Sequence, residues 1–146
     1  MAGYSGTPLV RKLGIGDDHE VGLLHAPKGF EGQLVGLAPG VTVRRRATGR
    51  FDVVVSFHTR RAHLAGRLPV LLEVLDPDGG LWIAWPKRAS GMPTDITEDT
   101  VRDVALPIGV VDNKVCAIDE TWSGLRLVWR KERRPELRAQ GGFRRP

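Results

Sequence analysis

The sequence predicts an α/β fold, a three-layer sandwich whose mostly parallel sheet ends in an antiparallel hairpin. Two apolar runs, FDVVVSF at 51–57 and LWIAW at 81–85, are typical of strands that are covered on both faces. A long helical pattern of leucines separates them, which favours a right-handed crossover between parallel strands. The last two predicted strands are joined by only five residues, 120–124, so they must be antiparallel.

The first half of the chain alternates short helical and extended segments. Thr7 followed by Pro8 predicts an N-cap and a first helical residue. The run EVGLLH predicts a first strand, and VTVRRR alternates as an edge strand does. In chain order, this half is predicted to contain a helix ending at Leu13, a strand at 20–25, a weak helical segment at 30–36, and strands at 41–46 and 51–57.

The second half contains two clearer helices. Thr59 is the predicted cap of the first, and Pro69 is predicted to kink or divide it. The second is capped by Asp95, as an Asp-type capping box with Glu98, or one register later by Thr97. The remaining predictions are a turn at 76–80, a strand at 81–85, an end to the second helix at Gly109, and strands at 114–119 and 125–129.

Composition points to one globular domain in the cytoplasm. The chain has 146 residues, of which 41% are apolar and 27% charged, enough to bury a core. The N-terminal segment has no apolar run typical of a secretory signal, and no run is long enough for a membrane helix. Cys116 is the only cysteine, which excludes an internal disulfide and a thiolate-cluster zinc site. Its mid-strand position favours a small buried apolar side chain.

The positive charge of the chain lies at its C-terminal end. Residues 130–146 carry seven basic and two acidic side chains, whereas the first 129 residues are balanced. This segment also holds glycines, prolines and few apolar residues, so we expect an α/β domain at 1–130 and a basic, largely disordered tail at 131–146. Such a tail can attract nucleic acid non-specifically through phosphates, although most charged tails simply stay solvated.

The polar residues that follow the predicted strands indicate where a site would lie. In an open parallel sheet, ligands bind outside the carboxyl ends of the strands. Four such ends are visible, at 25–29, 58–59, 86–90 and 119–123, and we expect them along one edge of the sheet. The loop at 86–95 is either part of a site there or an ordinary strand-to-helix junction.

A candidate anion pocket is predicted at this edge. Lys87 and Arg88 precede a helix whose N-terminal amides would face the same side. Solvated basic residues are the simpler interpretation, and Asp119 has its own: acid–base work with Asp95, or acceptance of backbone hydrogen bonds in a turn. The candidate residues are Lys87, Arg88, Ser90, Asp95, Thr97, Asp119 and Thr121.

Two histidines end strands that the predicted sheet makes neighbours. His25 and His58, with help from Asp119, have the chemistry to bind a metal or to move a proton. We favour ordinary polar strand ends and expect no metal. The sequence contains no Walker-type loop and no recognisable nucleophile motif, so ATP hydrolysis and serine or cysteine catalysis are not predicted.

Four stretches carry a resemblance to a known family: GYSGTPLVRKLGI, LLHAPKGF, GRLPVLLEVL and LWIAWPKRASGMPTDITEDTVRDVALPIGVVDNKVCAIDETWSGLRLVWR. Over about residues 1–130 the chain resembles a bacterial family known as domain of unknown function 3052. That family has no assigned activity.

The run from FDVVV to the final hairpin also resembles the carboxyl half of class I S-adenosylmethionine-dependent methyltransferases, with LDPDGGLWIAWPK as the most similar piece. This resemblance implies a truncated, methyltransferase-like (Rossmann-like) sheet. It also implies a glycine-rich loop after the first strand and an acid after the second. Here the loop has His25 and Pro27, the second strand ends in Arg44–Arg46, and one strand–helix unit is missing between 46 and 51. We therefore expect no S-adenosylmethionine binding of the usual kind and no cofactor.

These observations predict a non-catalytic binding or regulatory module with a degenerate methyltransferase-like fold. The alternatives are an enzyme that acts on a small phosphorylated or carboxylated molecule, using Lys87, Arg88 and Asp119, and an accessory nucleic-acid binder that uses its tail. The expected partner is a small anionic ligand or another protein, and not a membrane.

Overall fold

The computed structural model describes residues 7–141, which form a six-stranded mixed sheet with helices on both faces. The strand order across the sheet is β2-β1-β3-β4-β6-β5. The strands are β1 (Glu20–Leu24), β2 (Thr42–Arg44), β3 (Phe51–Phe57), β4 (Leu75–Pro86), β5 (Val110–Ala117) and β6 (Trp122–Trp129). The α-helices are α1 (Leu9–Leu13), α2 (Arg61–Glu73), α3 (Glu98–Ala105) and α4 (Arg134–Gly141). Single 3-10 turns lie at Phe30–Gln33, Arg88–Ser90, Leu106–Ile108 and Lys131–Arg133.

The strand directions confirm the predicted α/β architecture. Strand β1 is parallel to both β2 and β3, and β3 is parallel to β4. Strand β6 is antiparallel to β4 on one side and to β5 on the other. The chain leaves β1 for β2 at one edge and then returns to β3 on the other side of β1. The strand order therefore reverses between β1 and β3, which is the topological switch point of an open α/β sheet.

Two apolar layers sandwich the sheet. On one face, buried leucines of α2, such as Leu64 and Leu68, pack with Val101 of α3. On the other face, Leu13 of α1 and Phe30 pack over the opposite side of the same strands. The indole of Trp82, fully buried in β4, donates a hydrogen bond of 3.0 Å to the carbonyl oxygen of Leu13 and so ties α1 to the centre of the sheet.

The predicted turn at 76–80 is wrong, because the structure includes these residues in β4. The pairing of β3 with β4 shifts between Phe51 and Val53, so the extra residues form an irregularity inside the strand. Here Asp76 accepts a hydrogen bond from the backbone N–H of Asp78. Gly79 and Gly80 lie inside this strand, where they allow close packing with neighbouring segments, and the chain does not reverse direction here.

The helix starts also differ in detail from the predictions. Helix α1 begins at Leu9 with Pro8 as its N-cap, one residue later than expected. Helix α2 has Arg60 as its N-cap in place of Thr59, and it continues past Pro69 without division. Helix α3 is capped by Thr97 in a capping box with Thr100. Of the two predicted registers for α3, the structure therefore has the later one.

The C-terminal segment differs from the expected disordered tail as far as residue 141. Residues 131–141 are helical, and Leu137 packs against the α2–α3 side of the core. Arg134 donates to the carbonyl oxygen of Trp129, and Arg138 pairs with Asp78. The last five predicted tail residues, 142–146, lie outside the described residues. Within 7–141, no helix combines the length and hydrophobicity needed to cross a membrane.

Candidate functional site

The carboxyl ends of the parallel strands lie next to one another at one edge of the sheet. The N–H of His58, just after β3, donates to the carbonyl oxygen of Ala84 in β4 (2.9 Å). The N–H of Lys87, just after β4, donates to the carbonyl oxygen of Thr121 in the β5–β6 turn (2.7 Å). The rings of His25, after β1, and His58 have centroids 5.6 Å apart.

Three imidazoles, which we call the histidine cluster, lie together at the switch point: His25 after β1, His58 after β3, and His63 in the first turn of α2. The His63 ring lies 4.7 Å from that of His25 and 4.8 Å from that of His58, centroid to centroid. The Nδ1 atoms of His58 and His63 are 2.8 Å apart, so one donates a hydrogen bond to the other. His25 has φ of 58°, an uncommon conformation for a residue other than glycine.

The surroundings of His25 and His58 favour the neutral forms of these two imidazoles. Burial lowers the pKa of His58 to about 3, with smaller contributions from His63, His25 and Arg67. Burial likewise lowers the pKa of His25, and His63 and Arg67 add to this effect. Both shifts have the same two causes: burial leaves a charged imidazole poorly solvated, and the neighbouring imidazoles and Arg67 disfavour an added positive charge.

The sequence predictions named two members of the cluster and missed His63. A helix that follows β3 in a crossover must begin at the edge where β3 ends, and His63 lies in the first turn of that helix. Its position five residues after His58 was the available signal. Arg67, one turn further along α2, was missed for the same reason.

A hydrogen-bonded chain links the cluster to a buried hydroxyl. Ser56 Oγ lies 2.7 Å from His58 Nε2, and His58 Nδ1 in turn meets His63. The order resembles a serine–histidine relay, but Ser56 has no exposed surface, so its hydroxyl has no access to a substrate. In the part of the chain that the structure describes, no group of three or more histidine, cysteine or acidic side chains is arranged to hold a metal ion.

Asp119 does not join these histidines. Its Oδ1 accepts hydrogen bonds from the backbone N–H groups of Thr121 and Trp122, both at 2.8 Å. Its Oδ2 accepts from the side-chain amide of Gln33 at 3.1 Å. Asp119 therefore organises the turn between β5 and β6, as the structural interpretation of its sequence position predicted.

A cavity of about 490 Å³, which we call the Arg88 cavity, lies beside the start of α3. Trp85 and Ile96 are buried and supply apolar wall, and the exposed Met92 adds to it. Arg88 also lines the cavity, and it has no ion-pair partner among residues 7–141. The complete lining is Trp85, Pro86, Arg88, Gly91, Met92, Pro93, Thr94, Ile96, Thr97 and Glu98.

The loop that forms this cavity is held by its own hydrogen bonds. Ser90 Oγ donates to the carbonyl oxygen of Lys87 (2.7 Å), and Thr94 Oγ1 donates to that of Thr59 (2.7 Å). Asp95 Oδ1 accepts from the N–H of Arg61, the first residue of α2 (2.6 Å). The wall is thus preformed, which lowers the entropy cost of binding a ligand.

The structure divides the predicted anion pocket. Arg88 and Thr97 line the cavity, whereas Ser90 and Asp95 serve the loop that builds it. The other three residues are Lys87, Asp119 and Thr121, which lie with the β5–β6 turn.

Lys87 is one of three lysines whose positive charges act on the half-buried Cys116. Burial raises the pKa of the Cys116 thiol, while Lys12, Lys114 and Lys87 oppose that shift. The thiol is therefore protonated at neutral pH, as expected for a small apolar side chain and not for a nucleophile.

The position expected for S-adenosylmethionine does not fit that cofactor. After β1 the chain passes through His25 and Pro27 before the first glycine, Gly29. At the end of β2, Arg44 pairs with Glu20 (2.7 Å), and the next residue, Arg45, pairs with Glu31. A cation thus stands where a carboxylate would hold the ribose hydroxyls. A smaller cavity of about 300 Å³ remains, lined by Leu23, His25, Ala26, Pro27, Lys28, Gly29, Glu31 and Arg45.

Known structures with a similar fold are S-adenosylmethionine-dependent methyltransferases. A methyltransferase from Aquifex aeolicus superposes with a TM-score of 0.57 at 14% identity, over 82% of this chain and 86% of that one. The ribosomal protein L11 methylase of Lactobacillus delbrueckii subsp. bulgaricus gives 0.56 at 12%, over 84% and 75%. DhpI, in complex with SAH, gives 0.56 at 12%, over 85% and 83%.

These superpositions establish a Rossmann-like, methyltransferase-like fold, and at such low sequence identity they show nothing about activity. No family model matches the sequence, and no curated protein matches it either. The resemblance to the family of unknown function therefore stays a prediction.

Proposed function

We propose that this chain is a non-catalytic binding module whose ligand is a small molecule with an apolar body and one anionic group. The observation that carries the proposal is Arg88, a cation without an ion-pair partner in residues 7–141, in the wall of a preformed cavity whose surface is about as polar as it is apolar. Apolar wall from Trp85, Met92 and Ile96 beside a few oriented polar groups is suited to a small molecule. A carboxylate or phosphate on the ligand would pair with the guanidinium.

The other polar groups of the cavity are already engaged. Thr94 Oγ1 donates to Thr59 and accepts from Ile96 N–H. Thr97 is occupied by the capping box of α3, and the Glu98 carboxylate pairs with Arg102. A general base must reach the proton that it removes. Because these side chains are committed to the fold, binding is better supported than catalysis.

The two alternative functions have less support. An enzyme that uses Lys87, Arg88 and Asp119 would need these side chains around one substrate, whereas only Arg88 lines the cavity. Nucleic-acid binding through the tail would need free cations, whereas Arg134 and Arg138 contact the domain.

Calorimetry with two matched probes tests the proposal. We expect 2-naphthoate, an aromatic carboxylate, to bind with a dissociation constant on the order of 100 µM, and neutral 2-naphthamide to bind more weakly. Arg88→Gln should weaken 2-naphthoate about tenfold and leave 2-naphthamide unchanged. Arg130→Gln, an exposed arginine at the opposite end of β6, is the control and should change neither.

Three results would overturn the proposal. The first is S-adenosylmethionine binding in the micromolar range, which would indicate a cofactor-dependent protein. The second is 2-naphthoate binding that Arg88→Gln does not weaken, and the third is no saturable binding of either probe.

A further inference from the structure

We propose that the histidine cluster and Arg67 form a second site, which binds the oxyanion of a phosphate or sulfate group in the crevice between β1 and β3. This site is distinct from the Arg88 cavity and does not depend on the function proposed for it. Ligands of open α/β sheets bind in such a crevice. It forms because the chain leaves β1 toward β2 on one side, whereas it leaves the parallel strand β3 toward β4 on the other.

The cluster presents hydrogen-bond donors at its exposed side. His58 is 2% exposed, and both of its ring nitrogens are used, one with Ser56 and one with His63. His25 and His63 are exposed in front of it. Their remaining ring nitrogens, both of His25 and Nε2 of His63, have no hydrogen-bond partner within residues 7–141. A neutral imidazole offers one N–H donor, and an oxyanion accepts several such bonds.

Arg67 supplies the charge. It lies four residues after His63, so both side chains extend from the same face of α2. Its Nε is buried and has no hydrogen-bond partner in the described part of the chain. A guanidinium with free donors is well suited to a planar or tetrahedral oxyanion.

The surrounding charges favour an anion over a metal cation. The side chains that lower the pKa values of His25 and His58 are other imidazoles of the cluster and Arg67, and none of them is a carboxylate. The Asp95 carboxylate lies near the start of α2, where it accepts a hydrogen bond from the N–H of Arg61. Arg67 would repel a divalent cation, and the side chains of residues 7–141 contain no arrangement of three metal-binding groups. We therefore expect zinc not to bind here.

An oxyanion site has a characteristic pH dependence. A bound anion favours the protonated form of His25, so affinity must rise as the pH falls. Sulfate is the suitable probe for this effect, because its own charge does not change between about pH 8 and about pH 6. Inorganic phosphate at about pH 8 is the second probe.

The experiment is a titration of the full chain with each anion, followed by the imidazole resonances in ¹H–¹⁵N spectra, with chloride at equal ionic strength as the reference. We expect saturable shifts in the resonances of His25 and His63, with a dissociation constant in the low millimolar range. Sulfate should bind several-fold more tightly at about pH 6 than at about pH 8.

Three variants make the test specific. Arg67→Gln should weaken both anions about tenfold, and Arg67→Lys should recover only part of this loss, because an ammonium group keeps the charge but lacks the guanidinium donors. Arg130→Gln should leave it unchanged. If Arg67→Gln does not fold, His25→Gln at the exposed side of the cluster replaces it and should weaken both anions several-fold.

The proposal is overturned if the shifts match those given by chloride, or if Arg130→Gln weakens binding as much as Arg67→Gln does. Stoichiometric zinc binding that is lost in His63→Gln would also overturn it, in favour of a metal site. Because the cavity experiment depends on Arg88 and this one on Arg67, either proposal can fail without the other.

Discussion

Asp95 caps helix α2, which begins 34 residues earlier in the chain. Its Oδ1 accepts a 2.6 Å hydrogen bond from the N–H of Arg61, the first residue of α2. The N-cap residue itself, Arg60, makes no side-chain capping bond. The backbone N–H of Asp95 and the hydroxyl of Thr94 both donate to the carbonyl oxygen of Thr59. The loop that walls the Arg88 cavity and the start of α2 are thus one hydrogen-bonded unit.

The first prediction concerns this cap. Asp95→Ala should lower the free energy of unfolding by about 1 kcal/mol, because the first N–H of α2 loses its acceptor. Asp95→Asn should recover most of the loss, since an amide oxygen also accepts. Urea unfolding followed by tryptophan fluorescence measures both. Asp103→Ala, an exposed acid on α3, is the control, and an equal loss there would refute the assigned role of Asp95.

The second prediction concerns acid stability. The pKa of His58 is lowered to about 3 in the folded chain, so as the pH falls below its ordinary 6.5 only the unfolded chain takes up this proton. The stabilising contribution is complete above about pH 6.5 and is lost as the pH falls toward 3. We expect a loss on the order of 3 kcal/mol between about pH 7 and about pH 4.

Comparison with a His58→Gln variant isolates this contribution, because the carboxylates titrate in both proteins. The variant should be less stable at neutral pH and should lose less stability on acidification. Parallel pH profiles for the two proteins, measured by urea unfolding, would exclude His58 as the cause.

The third prediction concerns the contact between α1 and the sheet. The indole N–H of Trp82 satisfies the carbonyl oxygen of Leu13, which ends α1 and has no partner within its own helix. Trp82→Phe should cost about 3 kcal/mol, since it removes both this bond and part of a fully buried ring. It should also speed amide exchange in α1.

A second tryptophan provides the matched control. Trp122 is also buried, though slightly less so than Trp82, and its ring centroid lies 5.0 Å from that of Phe57. No hydrogen bond from its indole N–H is found in the described residues. Trp122→Phe should cost about 1–2 kcal/mol and leave exchange in α1 unchanged. Equal effects of the two substitutions would show that the Trp82–Leu13 hydrogen bond contributes nothing.

The fourth prediction concerns the C-terminal helix. Leu137→Ala should lower the free energy of unfolding by about 1 kcal/mol, because Leu137 is partly buried against the core. Glu136→Ala, at its exposed neighbour, should change stability by no more than about 0.5 kcal/mol. Chemical unfolding of the two variants measures both changes in the free energy of unfolding. If neither variant differs from the parent chain, the helix does not pack as described.

Some errors of the sequence predictions have a common origin in tertiary contacts. Asp76–Gly80 has the composition of a turn, but Gly79 is needed for another reason: a Cβ there would lie 2.6 Å from the carbonyl oxygen of Asp52 in β3. Composition likewise indicated a disordered tail, whereas one leucine in it, Leu137, meets the core. The local sequence indicates which conformations a segment can adopt. Packing against segments that are distant in sequence decides which of these conformations it takes.

The sequence by itself determined the order of the six strands and of helices α1 to α3, because apolar periodicity reflects which face of each segment is buried. That order was enough to predict a mostly parallel sheet and a single edge where its strands end. Only the tertiary structure decided which side chains meet at that edge. His25, His58 and His63 come from three separate elements, and their contact depends on strand register and on the position of α2, which are fixed by packing between distant segments.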